Sequence, residues 1–344
     1  MAYKGKLMTI PNTSIFNWIG GKKWLTKDIQ SYTDLLSKKD IDIYIEPFCG
    51  GLGSFRAIFP LLETKKVKTI ILNDVNELII KTFNSIKNDK ESLSAEYEKL
   101  AKRYIDVFPT NKFTTSKYNT KTKAYTLGNY GYQELHKTND KKVLKSLFLV
   151  EANDFYKDIK KSFNIRKLAG NIDTTTIAQF LFLMTNCFNG VYRENGKGEF
   201  NTPFNWNNKP ELGLNKLIIL DEYNVFFNNI NIIFKNQDVF ELLEEYTNKD
   251  NVFIYLDPPY FNKEGNENKY NKNHFGYKEQ IKLIDTALLF DYVLYSNHYE
   301  DFIIDKFKSE GNVVYKEVKR KNIMSSKSST RSEEKSEIIL IKTK

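Results

Sequence analysis

The sequence predicts an α/β fold with a mainly helical insertion, and three observations lead to this prediction. Short apolar, β-branched runs at residues 41–45 and 68–72 each end in a polar or glycine-rich turn that leads into a helical pattern. A third run of this kind, at 252–256, returns late in the chain. From residue 88 to about 185, the apolar residues instead follow the longer period of amphipathic helices.

The remaining elements follow from the same patterns in chain order. A helix is expected from Glu77 into Ile86. The inserted segment should contain helices near 91–104, 142–160 and 176–185, and a polar loop near 109–123. Later strands are expected at 292–295, 313–318 and 337–341, with a helix near 277–290. We therefore expect residues 1–87 and 207–344 to form one domain and residues 88–206 to form the inserted one.

The composition is that of a globular protein, with 41% hydrophobic and 28% charged residues in a chain of 344. The two cysteines and three histidines show no ligand spacing, so we expect neither a disulfide framework nor a bound metal. The N-terminus lacks a signal-peptide pattern, and the apolar runs are too short to cross a membrane. These features predict a cytoplasmic protein without a membrane partner.

The net charge of +9 favours a polyanionic partner such as nucleic acid. Basic residues also alternate with aromatic and hydroxyl side chains at 112–118, 160–167 and 316–331, a mixture that suits contacts with phosphates. A lysine-rich solubilising surface would give the same net charge, so the charge alone leaves both interpretations open.

The most informative segment is the apolar strand 252–256, which ends in Asp257-Pro258-Pro259-Tyr260. Prolines cannot continue a central strand, and ligands of open α/β sheets bind beyond the carboxyl ends of strands. The segment presents a carboxylate, rigid carbonyl groups and an aromatic ring together. This set suits a flat molecule with an exocyclic amino group, which could donate to Asp257 and to the Pro258 carbonyl while Tyr260 stacks on its face. A tight turn with Tyr260 as core filler is the alternative.

The first strand runs into the turn Pro-Phe-Cys-Gly-Gly-Leu-Gly, whose glycines would let the backbone approach a ligand closely. The turn lacks the spacing of a dinucleotide fingerprint and the lysine of a P-loop, so by itself it is a weak indication. Asp74 follows the second strand, where an acid can bind ribose hydroxyls. As an alternative, Asp74 could cap the next helix in a capping box with Glu77.

Two further segments carry groups suited to recognition. Near the N-terminus, Trp18 precedes a Gly-Gly-Lys turn; its ring could lie against an adenine or a sulfonium, and Lys22 could reach a carboxylate. The segment 186–204 is rich in asparagine and glycine and contains Arg193. Asparagine and arginine read adenine and guanine through paired hydrogen bonds. The alternatives are a solvated lysine at the first segment and an ordinary turn cluster at the second.

Taken together and in this order, the segments resemble the Dam-type (D12 class) DNA adenine N6-methyltransferases. The resemblance rests on Trp18-x-Gly20-Gly21-Lys22, Glu46-Pro47-Phe48-x-Gly50-Gly51, Asn73-Asp74-Val75-Asn76, the run from Asn189-Gly190-x-x-Arg193 to Pro203-Phe204, Asp257 to Tyr260, Ser296-Asn297-His298, and the C-terminal stretch 325–340. The matching motifs span residues 16 to 340, although the region from about 88 to 175 matches little.

The resemblance implies a class I AdoMet-dependent methyltransferase fold, a Rossmann-like mixed sheet with helices on both sides, and a target-recognition domain in residues 88–206. It implies S-adenosyl-L-methionine (AdoMet) as methyl donor, without a metal, and double-stranded DNA as partner. The implied catalytic residues are Asp257, Pro258, Pro259 and Tyr260. The implied cofactor-binding residues are Trp18, Lys22, Glu46, Phe48, Gly50, Asp74, Asp238 and Asp257. The implied DNA-binding residues are Asn17, Phe188, Asn189, Val191, Arg193 and Pro203.

Three positions depart from the family pattern. Asn17 stands where relatives that methylate GATC usually carry a basic residue, Phe188 where tyrosine is common, and Val191 where leucine is common. The expected target is therefore a short duplex motif, GATC or a relative. The competing functions are methylation of RNA adenine or of a protein amide, and a catalytically silent DNA-binding protein. Any restriction enzyme acting at the same site would be a separate chain, and the sequence does not predict the oligomeric state.

Overall fold

The computed structural model describes residues 8–107, 116–119, 124–127, 141–205, 211–261, 275–309, 312–321 and 334–344, apart from residues 19, 21, 23 and 24. The chain packs as two compact units. The first, here called the sheet unit, comprises Met1–Ile10, Gly21–Ile80 and Ile230–Lys344. The second, the helical unit, comprises Pro11–Gly20 and Lys81–Asn229. The functional division after residues 87 and 206 stays a prediction.

The described elements alternate between strands and helices at both ends of the chain. In chain order they are α1 (Thr26–Asp34), β1 (Ile43–Glu46), α2 (Gly53–Lys65), β2 (Thr69–Asn73), α3 (Glu77–Asn88), α4 (Lys90–Asp106), β3 (Ser116–Asn119), β4 (Ala124–Leu127), α5 (Lys141–Leu168), α6 (Thr174–Asn186), α7 (Glu211–Asn228), β5 (Ile232–Lys235), α8 (Val239–Glu244), β6 (Val252–Leu256), α9 (Tyr277–Ala287), β7 (Tyr292–His298), α10 (Asp301–Lys308), β8 (Asn312–Lys321) and β9 (Glu334–Thr343).

The sheet unit contains a mixed sheet of seven strands in the order β5-β2-β1-β6-β7-β9-β8. The first five of these strands are parallel, whereas β9 runs antiparallel to both β7 and β8. From β1, the strands β2 and β5 are added on one side of the sheet, and the later strands β6 and β7 on the other side. The boundary between β1 and β6 is therefore a topological switch point, where ligands bind in open α/β sheets. The carboxyl ends of the parallel strands, together with the beginning of β9, therefore form the edge at which a site is expected.

Helices cover both faces of this sheet, because alternate residues of each strand point to opposite sides. On one face, Ile45, Ile254 and Leu340 pack in a single apolar cluster with residues of α8, α9 and α10. On the other face, Tyr44 contacts Phe253 and also Phe55 of α2. Since both of its faces are covered, β6 is buried along its whole length. The class I methyltransferase architecture implied by the sequence is confirmed.

The helical unit is built on α4, α5, α6 and α7, with α4 packed against α6 and α7. Aromatic rings fill its interior: Tyr104 of α4 meets Phe182 of α6 edge-on at 5.1 Å, and Phe155 of α5 meets the same ring at 5.6 Å. Asp173 caps the N-terminus of α6 by accepting a hydrogen bond from the Thr176 backbone N–H. Within the part of the chain that the structure describes, no helix is both long enough and apolar enough to cross a bilayer.

The predicted strands and helices are confirmed with shifts of up to eight residues at their ends, but one expectation was wrong and one helix was not predicted. The segment 109–123, expected to be a polar loop, contains β3, which pairs with β4 in a hairpin. The strand was not predicted because its sequence is polar. Residues 108–115 and 120–123 lie outside the described part. The sequence also gave no indication of α7. Apolar residues occur on several sides of this helix, from buried Leu220 to exposed Val225, so no amphipathic period marks it.

Candidate active site

The carboxylate of Asp257 lies directly after β6 and is mostly buried. Its Oδ1 atom forms an ion pair with Lys22 Nζ at 2.8 Å, and the exposed fractions of the two side chains are 13% and 3%. The Ser296 hydroxyl, at the end of the neighbouring strand β7, donates to the same oxygen at 3.2 Å. Both contacts use Oδ1. The second oxygen, Oδ2, is therefore the one to consider for a ligand.

A buried polar network fixes the turn that follows Asp257. The side-chain amide of Gln280, on α9, donates to the Pro259 carbonyl at 2.8 Å. The Gln280 carbonyl oxygen in turn accepts from the Tyr295 hydroxyl at 2.8 Å and from the Asn297 amide. Buried polar groups of this kind rigidify a structure when their partners are satisfied. The turn is thus anchored to α9 and β7.

The phenol of Tyr260 is held between a cation and an anion. Its hydroxyl accepts a hydrogen bond from the Lys22 ammonium and donates to Glu337 Oε2, on β9, at 2.6 Å. The ammonium also lies 4.4 Å from the centroid of the Tyr260 ring, and the His298 ring contacts the same ring at 4.3 Å. Lys22 therefore links Asp257 to Tyr260, and Tyr260 links Lys22 to Glu337.

Burial and charge act in opposite directions on Asp257. Removal from water raises the pKa of its carboxyl group above its usual value, and the nearby Lys22 ammonium offsets only part of that rise. The pKa of the Tyr260 phenol is raised first by burial and then by the Asp257 and Glu337 carboxylates, so this group stays protonated and can donate. The site therefore combines a hydrogen-bond-accepting carboxylate with a neutral aromatic ring.

Asp74 lies at the carboxyl end of β2 beside the glycine turn. Its carboxylate accepts from the Gly50 backbone N–H at 3.0 Å and from the Asn76 N–H at 2.9 Å, and burial raises its pKa to about 6. The capping alternative for Asp74 is wrong, because α3 begins at Glu77 and the Asn76 side chain accepts from the Leu78 N–H. Asp74 faces the glycine turn instead.

The buried Asn73 side chain holds three strand ends together. Its amide donates to the carbonyls of Pro47, after β1, and Gln237, after β5, and its oxygen accepts from the Gln237 N–H. Phe48, from the glycine turn, is partly buried and meets Phe275 edge-on at 5.9 Å. Asp238 is exposed and caps α8 by accepting from the Phe240 N–H. These residues lie at neighbouring positions along the same sheet edge.

Glu46 is buried at the end of β1 and accepts a hydrogen bond from the Tyr44 hydroxyl at 2.7 Å. Burial raises the pKa of Glu46 well above its usual value, and the carboxylates of Asp257 and Asp74 raise it further. A carboxylic acid that stays neutral in such a place can donate a hydrogen bond as well as accept one.

In the helical unit, α5 shapes the loop that follows α6. Asn164 forms two hydrogen bonds with the Phe200 backbone, and Lys167 donates to the Glu194 carboxylate and to the Gly198 carbonyl. The Phe188 N–H donates to the Pro203 carbonyl at 2.8 Å and closes the loop at its base. Lys167 lies in one of the basic segments predicted to suit phosphate contacts, but its contacts in the structure support this loop.

The predicted DNA-binding residues mostly lie on the outside of this loop. The Phe188 side chain is 50% exposed. Asn189, Arg193 and Pro203 are exposed as well, whereas Val191 is partly buried. The loop therefore presents an apolar ring, an amide and a guanidinium on a braced backbone.

The N-terminal segment of the helical unit packs on the same loop. Exposed Asn17 lies against Gly190, and the Trp18 ring stacks on Tyr192 with 5.3 Å between the ring centroids. The contact of Trp18 with a cofactor stays a prediction, as do the functional roles of the other predicted residues.

Comparison with known proteins decides which family has these features. The model of the D12 class N6 adenine-specific DNA methyltransferases matches residues 18–324. The chain belongs to this family. It is therefore a DNA adenine methyltransferase, and its family membership agrees with the resemblance found in the motifs.

Relatives of this D12-class methyltransferase occur in an archaeon, a bacterium and a virus. The type II methyltransferase M.MjaIII of Methanocaldococcus jannaschii is 29% identical over 273 residues, 77% of this chain and 76% of the relative. The type II methyltransferase M1.LlaDCHI of Lactococcus lactis subsp. cremoris is 23% identical over 320 residues, 89% and 90% of the two chains. The type II methyltransferase M.CviBI of Paramecium bursaria Chlorella virus NC1A is 24% identical over 269 residues, 78% and 76% of the two chains.

The structure of this methyltransferase adds residues that the sequence did not single out. Gln280 and Glu337 contact the Asp-Pro-Pro-Tyr turn directly, and Asn73, which the sequence placed in a motif without a role of its own, joins the turns beside it. Each is a polar residue in or beside an apolar element, namely α9, β9 and β2. A buried polar residue at such a position requires a partner, and this was the available signal, although the sequence does not reveal which partner.

Replacing Gly190 with alanine should destabilise the loop of the methyltransferase, because its φ is +62° and an added Cβ would lie 2.7 Å from Asn17 Nδ2. We expect the free energy of unfolding to fall by about 1–3 kcal/mol, measured by denaturant unfolding. Gly196→Ala, in the same loop with no heavy atom within 4 Å of its added Cβ, is the matched control. Equal stability of the two variants would contradict the prediction.

Proposed function

We propose that this methyltransferase transfers the methyl group of AdoMet to N6 of an adenine that has flipped out of a short duplex DNA motif. The observation that carries the proposal is the buried Asp257 carboxylate at the switch point of the sheet, whose Oδ1 is fixed by Lys22 and Ser296. A base inside a duplex cannot reach a group buried in this way, so the proposal includes base flipping.

The residues at the carboxyl ends of β1, β2 and β5 fit AdoMet by their chemistry. Asp74 suits the ribose hydroxyls, and the backbone beside Gly50, which has a φ of +44°, suits close approach of the ligand. The remaining proposed cofactor residues are Phe48, Asp238, Glu46, Trp18, Lys22 and Asp257. When bound, AdoMet supplies an electrophilic methyl group on a sulfonium. The Lys22 ammonium, which pairs with Asp257 in the structure, is the proposed partner for the carboxylate of AdoMet.

The residues of the turn act on the target base. Asp257 Oδ2 and the Pro258 carbonyl accept hydrogen bonds from the two N6 hydrogens, which draws the nitrogen lone pair out of conjugation with the ring. Pro259 fixes the backbone, and Tyr260 stacks on the face of the base. The gain in rate then comes from positioning and from preorganised charge.

Direct transfer needs no covalent intermediate on the protein. Both cysteines are buried, and burial raises the pKa of Cys187 to about 12 and that of Cys49 well above its usual value. Thiols in this state are poor nucleophiles at neutral pH. This supports a single in-line step in which N6 would gain the methyl group as its bond to the sulfonium sulfur breaks, leaving a neutral thioether, and N6 would then release one hydrogen to solvent as a proton.

The exposed loop of the helical unit is the proposed DNA-reading surface. Arg193 and Asn189 are the candidates for base readout, and the exposed Phe188 ring is the candidate for insertion into the base stack. Asn17, Val191 and Pro203 complete the proposed set. The type II names of the relatives support a further proposal, that a separate restriction enzyme acts at the same site.

Methyl transfer from labelled AdoMet to unmethylated genomic DNA, followed by base-level mapping of N6-methyladenine, tests the proposed function. We expect label at one short motif, which would also show whether that motif is GATC. Label in RNA or in a protein amide, but not in DNA, would overturn the proposal. Failure of the wild-type protein to bind AdoMet would favour a silent DNA-binding protein.

AdoMet should bind more tightly as the pH rises through about 6, because the ribose hydroxyls donate to charged Asp74 and its pKa lies at about 6 in the ligand-free protein. Below that pKa the carboxyl group must lose a proton before binding. We therefore expect the Kd to be about tenfold higher at about pH 5 than at about pH 7, as measured by titration calorimetry.

The Asp74→Asn variant should bind AdoMet weakly and lose this pH dependence. Asp305→Asn, which changes an exposed aspartate on α10, should keep it and serves as the matched control. The same Kd for the wild-type protein at both pH values would contradict the assignment of Asp74 to the ribose.

A further inference from the structure

Glu337 is a buried carboxylate that the proposed mechanism does not yet use. It lies on β9, opposite His298 of β7, where the apolar run Ile338–Ile341 begins. Only 5% of the residue is exposed. A carboxylate in such surroundings is costly unless it has a hydrogen-bonding partner, so the identity of that partner indicates what Glu337 does.

Tyr260, the last residue of the Asp257–Tyr260 turn, is this partner. Its hydroxyl donates to Glu337 Oε2 at 2.6 Å, and hydrogen bonds to a charged acceptor are shorter and stronger than those between neutral groups. On its other side the same hydroxyl accepts from Lys22, whose ammonium also pairs with Asp257. A continuous chain of contacts therefore runs from Glu337 through Tyr260 and Lys22 to Asp257.

This chain restricts the Tyr260 ring at its outer end. The ring is attached to the backbone at one end, and the two hydrogen bonds of its hydroxyl hold the other end. The His298 ring contacts it at 4.3 Å. Stacking on a base requires a defined ring plane, and small errors in the position of reacting groups reduce rates strongly.

We propose that Glu337 is a positioning residue for methyl transfer, which holds the Tyr260 ring in the plane where it stacks on the target adenine. The inference rests on the proposed role of Tyr260. Glu337 acts through the Tyr260 hydroxyl and does not touch the reacting atoms. A purely structural Glu337 would affect stability and leave the rate of transfer in the folded enzyme unchanged.

A double-mutant cycle separates these roles. Glu337→Gln, Tyr260→Phe and the double variant are compared with the wild type in single-turnover transfer from saturating labelled AdoMet to duplex DNA that carries the mapped motif. We expect each single variant to be about ten- to hundredfold slower, since Tyr260→Phe removes the hydroxyl and Glu337→Gln replaces its charged acceptor with a weaker, neutral amide. The double variant should be no slower than Tyr260→Phe alone, because Glu337 acts through the hydroxyl that this variant lacks.

Glu244→Gln is the matched control, because it removes the same charge from an exposed glutamate at the end of α8, outside the segments predicted to contact DNA. It should transfer at the wild-type rate. Thermal unfolding and the Kd for AdoMet, measured for every variant, show that the rates belong to folded, cofactor-binding enzyme.

Three results would overturn the inference: a wild-type rate for Glu337→Gln, a wild-type rate for Tyr260→Phe, or losses that simply add in the double variant. Tyr260→Phe keeps the ring and its packing, so it tests the inference even if Glu337→Gln does not fold. An inactive Asp257→Ala enzyme beside a fully active Glu337→Gln enzyme would leave the proposed function standing and remove this inference alone.

Discussion

Asp257→Ala should lower the rate of methyl transfer by at least about 10²- to 10⁴-fold, the range expected when a preorganised charged group is removed from an active site. Asp257 is the carboxylate that the Asp257–Tyr260 turn presents, and its Oδ1 is already fixed by Lys22 and Ser296. Without it, nothing comparable at this position would orient N6. The measurement is the single-turnover rate with labelled AdoMet and unmethylated duplex DNA.

The same substitution removes the carboxylate that pairs with a buried ammonium. The Lys22 side chain is only 3% exposed, so its ammonium would lose this countercharge while remaining largely buried. Breaking one side of a buried pair costs about 3–5 kcal/mol, so Asp257→Ala should also unfold at a lower temperature. Adding Lys22→Met should restore part of this stability and none of the activity, which separates the chemical role of Asp257 from its structural one.

A surface pair of the same kind provides the control. Asp285, on α9, forms an ion pair with Lys306 at 2.7 Å, and half of its side chain is exposed. Asp285→Ala should leave both the rate and the stability nearly unchanged, since exposed pairs contribute little. Full activity of folded Asp257→Ala would refute the proposed mechanism.

The core of this site was predictable because its signals are local. An apolar run that stops at Asp257 with two prolines already specifies a strand and its end. Likewise, the turn at Gly50 and the acid at Asp74 directly follow short strands. Parallel strands bring their carboxyl ends to one edge of the sheet, so each local pattern also determined where its residue would lie.

The supporting residues could not be predicted, because their partners are distant in the sequence. Glu337 is 77 residues from Tyr260, and Gln280 is 21 residues from Pro259. Their contacts depend on which strands become neighbours, notably on β9 pairing with β7 in the antiparallel direction. For the same reason, the stacking of Trp18 on Tyr192 gives no signal in either segment.

Arg193→Ala should weaken discrimination at one base pair of the recognition motif by about 1–3 kcal/mol, which is the usual contribution of a paired hydrogen bond to a base edge. The argument depends on the rigidity of the loop. Glu194 is tied to Lys167 and Tyr192, and the Asn201 N–H donates to the Arg193 carbonyl. The backbone of Arg193 is therefore fixed while its guanidinium is exposed.

Lys197→Ala distinguishes base readout from general attraction to DNA. Lys197 is an exposed cation in the same loop, so its removal changes the charge by the same amount. A residue that contacts phosphates weakens binding to all sequences alike and lowers the salt dependence of binding, whereas a residue that reads a base changes the preference among sequences. Methylation of a randomised duplex library by the two variants measures this difference. Arg193→Ala should relax the motif at one position and Lys197→Ala should not; an identical motif for both variants would show that Arg193 does not read a base.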